Sequence, residues 1–183
     1  MSTKQLKYID NFLNLKAASE MQRMKLFPNA KEITESIGCF NAVMKMLGGM
    51  ETNACRSDLT CIIVGDGSTP RTGALFAYRT RWTVISYDPN IKHGVWDCIK
   101  RLKAIRGMAE DYPQHYEGDL VLVFPHSHAN SKKVLNALTC TGKRTIVWLP
   151  CCTQMDIAAE CVSWTDEHIA SPKNRFFCWA DLS

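Results

Sequence analysis

The sequence predicts an α/β fold, a three-layer arrangement in which a mostly parallel sheet is covered by helices on both faces and preceded by a helical lead-in. Three observations carry this expectation. From Leu59 onward, short apolar runs rich in β-branched residues alternate with stretches of helical character. Regular alternation of that kind marks a parallel sheet with crossover helices. The first ~50 residues instead repeat apolar side chains at threes and fours, the spacing of amphipathic helices.

Between Lys4 and Lys25 the apolar residues Leu6, Ile9, Phe12, Leu13, Leu15, Met21 and Met24 recur without an intervening glycine or proline, so one helix is expected there. Phe27-Pro28-Asn29 breaks it. A second helix runs through Ile33, Ile37, Phe40, Val43, Met44 and Leu47 and stops at Gly48-Gly49. After a polar link, Thr52 to Asp58, "LTCIIV" reads as a central strand buried on both faces. Further strands are expected at Trp82–Tyr87, Leu102–Met108, Asp119–Pro125 and Arg144–Pro150, with helices at Thr72–Thr80, Val95–Arg101 and Asn130–Leu138. The chain closes with a short helix at Met155–Glu160 and two strands, Cys161–Thr165 and Arg175–Asp181, that suit an antiparallel hairpin. The whole chain, 1–183, is thus expected to be one domain, with 1–50 as lead-in and 58–183 as sheet core.

Composition narrows the function classes. Apolar residues make up 46% and charged ones 22%, which excludes disorder as the main state. The net charge of +4 permits a polyanionic partner without requiring one, and the basic residues of Lys92–Arg106 read as a solvated face. Nine cysteines, an odd number, and a start "MSTKQLKYIDN" without the apolar core of a signal peptide lead to the expectation of a reducing, cytoplasmic setting. No apolar run approaches the ~20 residues of a membrane span, so a soluble protein is expected. No cysteine pair has zinc-knuckle spacing, and no metal site is expected.

The richest segment is the turn "GDGSTP" after the first strand. Gly65 and Gly67 let a ligand approach the backbone, Ser68 or Thr69 can cap the next helix, and Pro70 suits its first position. Free amides at that helix end favour an anionic group. Asp88 stands 21 positions after Gly67 at the end of the second strand, where an acid can accept from both hydroxyls of a ribose. Glycine turn and acid together outline an adenosine-type site. A third glycine in the dinucleotide pattern would fall where Pro70 stands, which disfavours a nicotinamide dinucleotide.

"CIIVGDGSTPRTGALFA", followed by "VISYDP", resembles the first two motifs of class I S-adenosylmethionine-dependent methyltransferases, a Rossmann-like family. The resemblance extends over Leu59–Ser183 in the order of elements and is strong in motif between Cys61 and Asp88. It implies a Rossmann-like, seven-stranded sheet closed by the C-terminal hairpin. It also implies S-adenosylmethionine or S-adenosylhomocysteine as ligand, the glycine turn at the methionine part, Asp88 on the ribose and Glu110 or Asp111 at the adenine edge. The sequence departs from the family at Ile63, where an acid is usual, and Asp66 between the glycines is the candidate for a substitute contact.

Methyl transfer needs alignment of donor and acceptor and sometimes removal of a proton. "FPHSHAN" follows the fourth strand of the core and offers His126 and His128 as a general base or acceptor-holding pair. The competing role for either is helix capping or packing beside Trp148. The Asn/Asp-Pro-Pro-aromatic motif of the family's amino-methylating branch is missing, leaving the acceptor open, nucleic acid included. Cys151 and Cys152 after the next strand read as packing residues. Two functions remain in view: a methyltransferase-like enzyme, and a non-catalytic Rossmann-like binding or scaffolding module that has lost methyl transfer.

Overall fold

A computed structural model describes residues 3–152, 155 and 157–182, without the side chains of 5, 181 and 182. The lead-in comprises α1 (Thr3–Leu13), α2 (Ala18–Arg23), α3 (Ala30–Met46) and a single turn, α4 (Met50–Asn53). The core then runs β1 (Leu59–Val64), α5 (Arg71–Arg79), β2 (Thr83–Tyr87), β3 (Leu102–Ile105), β4 (Gln114–Tyr116), β5 (Asp119–Pro125), α6 (Ser131–Ala137), β6 (Leu138–Cys140), β7 (Arg144–Leu149), β8 (Val162–Thr165) and β9 (Arg175–Leu182).

Seven strands form one sheet in the order β3-β2-β1-β5-β7-β9-β8. The first five are mutually parallel, while β9 runs antiparallel to β7 and pairs with β8 as the closing hairpin. This is a Rossmann-like architecture with a helical N-terminus. Alternation along the central strands divides the interior in two. Leu59, Cys61, Ile63, Val121, Val123 and Val147 face a core shared with Phe12, Met21, Leu26, Phe40 and Phe76 of the lead-in and α5. Ile62, Val64, Leu120, Leu122, Phe124 and Ile146 face the other core, closed by Val134 and Leu138. The lead-in is therefore one of the sheet's covering layers. Strand order reverses between β1 and β5, so the crevice beyond their carboxyl ends is the topological switch point where ligands of such folds bind.

The structure corrects several local expectations. The single helix over Lys4–Lys25 is two, because Asn14, a poor helix former, opens a pair of tight turns, Leu15 N–H to Phe12 O and Ala18 N–H to Leu15 O. The break lets Phe12 and Met21, both fully buried, reach the same core. Helix α3 starts earlier than its apolar pattern, at Ala30, because Asn29 caps it by accepting from Glu32 N–H at 3.1 Å. It ends as expected at Gly48-Gly49, where Gly49 N–H reaches back to Met44 O. Within Val95–Arg101 only a 3₁₀ turn forms, over Val95–Cys98; Trp96 and Ile99, three apart, are the buried residues, which suits three residues per turn. The small parallel pair β4–β6 was not expected and takes Leu138 from the end of the predicted helix. In the expected helix at Met155–Glu160, the described residues 155 and 157–160 are not helical, and residue 156 lies outside the described residues.

Candidate functional site

The strand-to-helix turn after β1 is held by two aspartates with different tasks. Gly65 and Gly67 both have positive φ, 81° and 84°. A Cβ on Gly65 would lie 2.6 Å from Ser127 Oγ, so this glycine is what lets the ends of β1 and β5 close on each other. Asp66 is completely buried beneath the turn. Its Oδ1 accepts from Thr72 N–H at 2.9 Å, and its Oδ2 accepts from Gly73 N–H and Ser86 Oγ–H, each at 2.9 Å. Burial raises its carboxyl above the usual range, against the pull of Arg71 and the two amides. The N-terminus of α5 is thus capped from within, and the free amides expected there for an anionic ligand are occupied. Pro70 sits one place before the helix, and neither Ser68 nor Thr69 caps it; the Thr69 hydroxyl donates to Leu26 O at 2.6 Å, tying the turn to the lead-in.

Asp88 lies at the rim, 8% exposed. Its Oδ2 accepts from Gly67 N–H at 2.8 Å and its Oδ1 from Asn90 N–H at 2.7 Å. Each oxygen retains a lone pair, so two further donors can be accepted. Asp88 helps line a cleft of about 380 Å³, together with Gly65, Tyr87, Met108, Glu110, His126 and His128. That volume lies within the range of small-molecule sites. Glu110 presents a buried Oε2 with no partner, an acceptor awaiting a donor. Asp111, the alternative acid, is exposed and does not line the cleft. Ile63 is wholly buried on the lead-in side of the sheet, so no acid reaches the cleft from that position.

His126 and His128 do different things. The loop after β5 puts His126 at a φ of +53°, an uncommon conformation for a side chain of its size. Its Nε2 meets Glu35 Oε1 at 2.8 Å, and its Nδ1 is buried without a partner. A carboxylate facing Nε2 favours the tautomer with the proton there, leaving Nδ1 as an open acceptor. Burial by itself would raise the Glu35 carboxyl, but the hydrogen bond and charge of His126, with Lys31 at 3.3 Å, hold it below the usual range. His128 is exposed and turns to the cysteine pair after β7, with Nε2 3.0 Å from Cys151 Sγ. Burial and the adjacent Cys152 push the Cys151 thiol up.

A second cleft, about 310 Å³, adjoins the first and shares both histidines. Its other walls include Lys31, Glu32, Glu35, Arg71 and Lys173, with Arg71 paired to Glu32. Sequence reasoning did not find Glu35. It lies in a polar triplet, Thr34-Glu35-Ser36, that reads as a solvent face, yet all three residues are buried. Thr34 accepts from Ala170 N–H and Ser36 meets Thr72 Oγ1, contacts across 136 and 36 residues of chain that no local pattern announces.

No protein-family model and no curated protein matches the sequence. Among solved structures, the chain is similar to a mutant of MtNAS, a nicotianamine synthase, in complex with S-adenosylmethionine, at a TM-score of 0.51 and 12% identity, covering 96% of this chain and 70% of that one. The same mutant without that ligand in its description aligns at a TM-score of 0.52 and 14% identity, covering 97% and 69%. At these identities the likeness is one of fold. Among the described residues, no helix is long and apolar enough to cross a membrane. The chain has a Rossmann-like fold of the architecture seen in these S-adenosylmethionine-binding neighbours.

Proposed function

We propose that this chain binds S-adenosylmethionine, or S-adenosylhomocysteine, in the cleft beyond β1 and β2 and transfers a methyl group to an acceptor held in the adjoining charged cleft. The observation that carries the reading is the contrast at the glycine turn. The helix amides that would receive a phosphate are occupied by the buried Asp66, while Asp88 and Glu110 present carboxylate acceptors to the cleft. A ligand rich in hydroxyl and amine donors, with no phosphate, fits that lining. The similarity of fold to a structure in complex with S-adenosylmethionine supports the same choice.

In this reading Asp88 accepts from the ribose hydroxyls, and Glu110 accepts from an amine with its unpartnered Oε2. Gly65 and Gly67 allow close approach of the ligand, with Ser68 and Thr69 completing the turn. The bound cofactor supplies an electrophilic methyl carbon. His126, oriented by Glu35 and reaching both clefts, takes a proton from the acceptor at Nδ1. His128 lines both clefts as well and helps enclose the acceptor.

A non-catalytic binding module is the second reading, favoured by one observation. Ile63 occupies the position of the expected acid and is buried in the core. Labelled methyl transfer into RNA, DNA, protein and small-molecule pools separates the two. Transfer into one pool, lost on replacing His126, supports the enzyme; tight cofactor binding with no transfer into any pool supports the module.

A further inference from the structure

The loops after β5 and β7 abut because these strands are neighbours in register, Pro125 opposite Leu149. They bring three metal-ligating side chains together: His128 Nε2 lies 3.0 Å from Cys151 Sγ and 3.6 Å from Cys152 Sγ, and the two sulfurs are 3.4 Å apart. We propose that His128, Cys151 and Cys152 form a binding site for a thiophilic divalent cation of the zinc type, three-coordinate from the described protein residues and open at its fourth position. The inference is independent of whether the adjoining cleft binds an adenosine ligand.

The geometry suits a cation better than it suits hydrogen bonding alone. A point roughly 2.0–2.3 Å from one nitrogen and two sulfurs, the range of zinc–imidazole and zinc–thiolate bonds, exists just off the plane of these three atoms. At 3.4 Å the sulfurs are too far apart to be joined as a disulfide and close enough to share one ion. Two thiols and an imidazole are also the soft and borderline donors that select such a cation over magnesium or calcium. Among the described residues the group has three members, the number found in zinc sites that keep a position for water or substrate. The place is accessible: Cys152 and His128 are exposed, and three clefts meet at the cluster, lined in turn by His128, by His128 with Cys151, and by Cys151 with Cys152. An ion there would sit at the mouth of the charged cleft, where a fourth ligand could come from a bound molecule. The sequence gave no sign of it, because adjacent cysteines lack zinc-knuckle spacing and the histidine is 23 residues away from Cys151.

The test is a titration of the reduced, chelator-stripped full chain with Co²⁺, followed by displacement with Zn²⁺. The site predicts one equivalent bound, with thiolate-to-cobalt charge-transfer absorption and strong tetrahedral visible bands that Zn²⁺ abolishes. Cys151→Ser and Cys152→Ser should each weaken binding by about tenfold or more and cut the charge-transfer band to roughly half, since one of two thiolates is lost. His128→Asn should weaken binding comparably while keeping both thiolate transitions. Cys161→Ser, which removes an exposed cysteine outside the cluster, should leave the spectrum unchanged. A wild-type cobalt complex without thiolate charge transfer, no uptake of either ion by the reduced protein, or a spectrum unmoved by all three ligand variants would overturn the proposal.

Discussion

The two adjoining clefts are built in opposite ways. The one beyond β1 and β2 is assembled from residues close in sequence, Gly65 to Asn90, with Glu110 added from just past β3. The charged one is assembled from three distant segments, the start of α3, the loop after β5 and the region after β7. The first is a product of strand–turn–helix geometry, which short motifs encode. The second depends on how the lead-in docks on the sheet, which they do not.

That difference predicts where substitution does most harm. The largest effect is expected at His126, the residue common to both clefts. His126→Asn removes the acceptor Nδ1 base, and asparagine tolerates the positive φ of this position. Turnover with an identified acceptor should fall by about 10²–10⁴-fold with cofactor affinity nearly unchanged. Full turnover across the pH range would make His126 a purely structural link between Glu35 and β5.

Asp66→Ala should cost stability, about 3 kcal/mol or more, because Thr72 N–H, Gly73 N–H and Ser86 Oγ–H are left buried without their acceptor. Denaturant unfolding measures it. A loss well under 1 kcal/mol would mean that water enters beneath the turn and that α5 does not rely on this cap.

A smaller, pH-dependent effect belongs to the charged cleft. The Glu35 carboxyl is lowered in the folded chain from an ordinary value of 4.5. Its contribution is therefore present above that value and lost as pH falls through the lowered folded one. Melting temperatures of wild type and Glu35→Gln should differ near neutrality and converge on acidification below about pH 4.5. A gap that stayed constant into strong acid would show that the contact with His126 does not depend on the charge of Glu35.

The same contrast explains what could be read in advance. The seven-stranded order, the closing hairpin and the placing of Gly65, Gly67 and Asp88 at the switch point follow from apolar runs and glycine spacing, both local properties. Asp66 was legible as a residue of the turn but not as its buried cap, because spacing does not say which way a side chain points. The break at Asn14 is a weak propensity effect that a continuous apolar stripe conceals. Glu35 and the pairing of His128 with Cys151 and Cys152 were beyond reach, since each depends on segments joined by tertiary docking alone.

The central claim is that the sequence-local cleft takes a phosphate-free adenosine ligand through Asp88, and calorimetric titration tests it most directly. Wild-type protein should bind S-adenosylmethionine and S-adenosylhomocysteine but not NAD, whose pyrophosphate would find the α5 amides occupied. Asp88→Ala should weaken the first two by about 1.5–3 kcal/mol, roughly 10–150-fold. Loss of the clasp on Gly67 and Asn90 should also lower its melting temperature without unfolding it. Binding of NAD, binding of none of the three, or unchanged affinity in a folded Asp88→Ala protein would contradict the account.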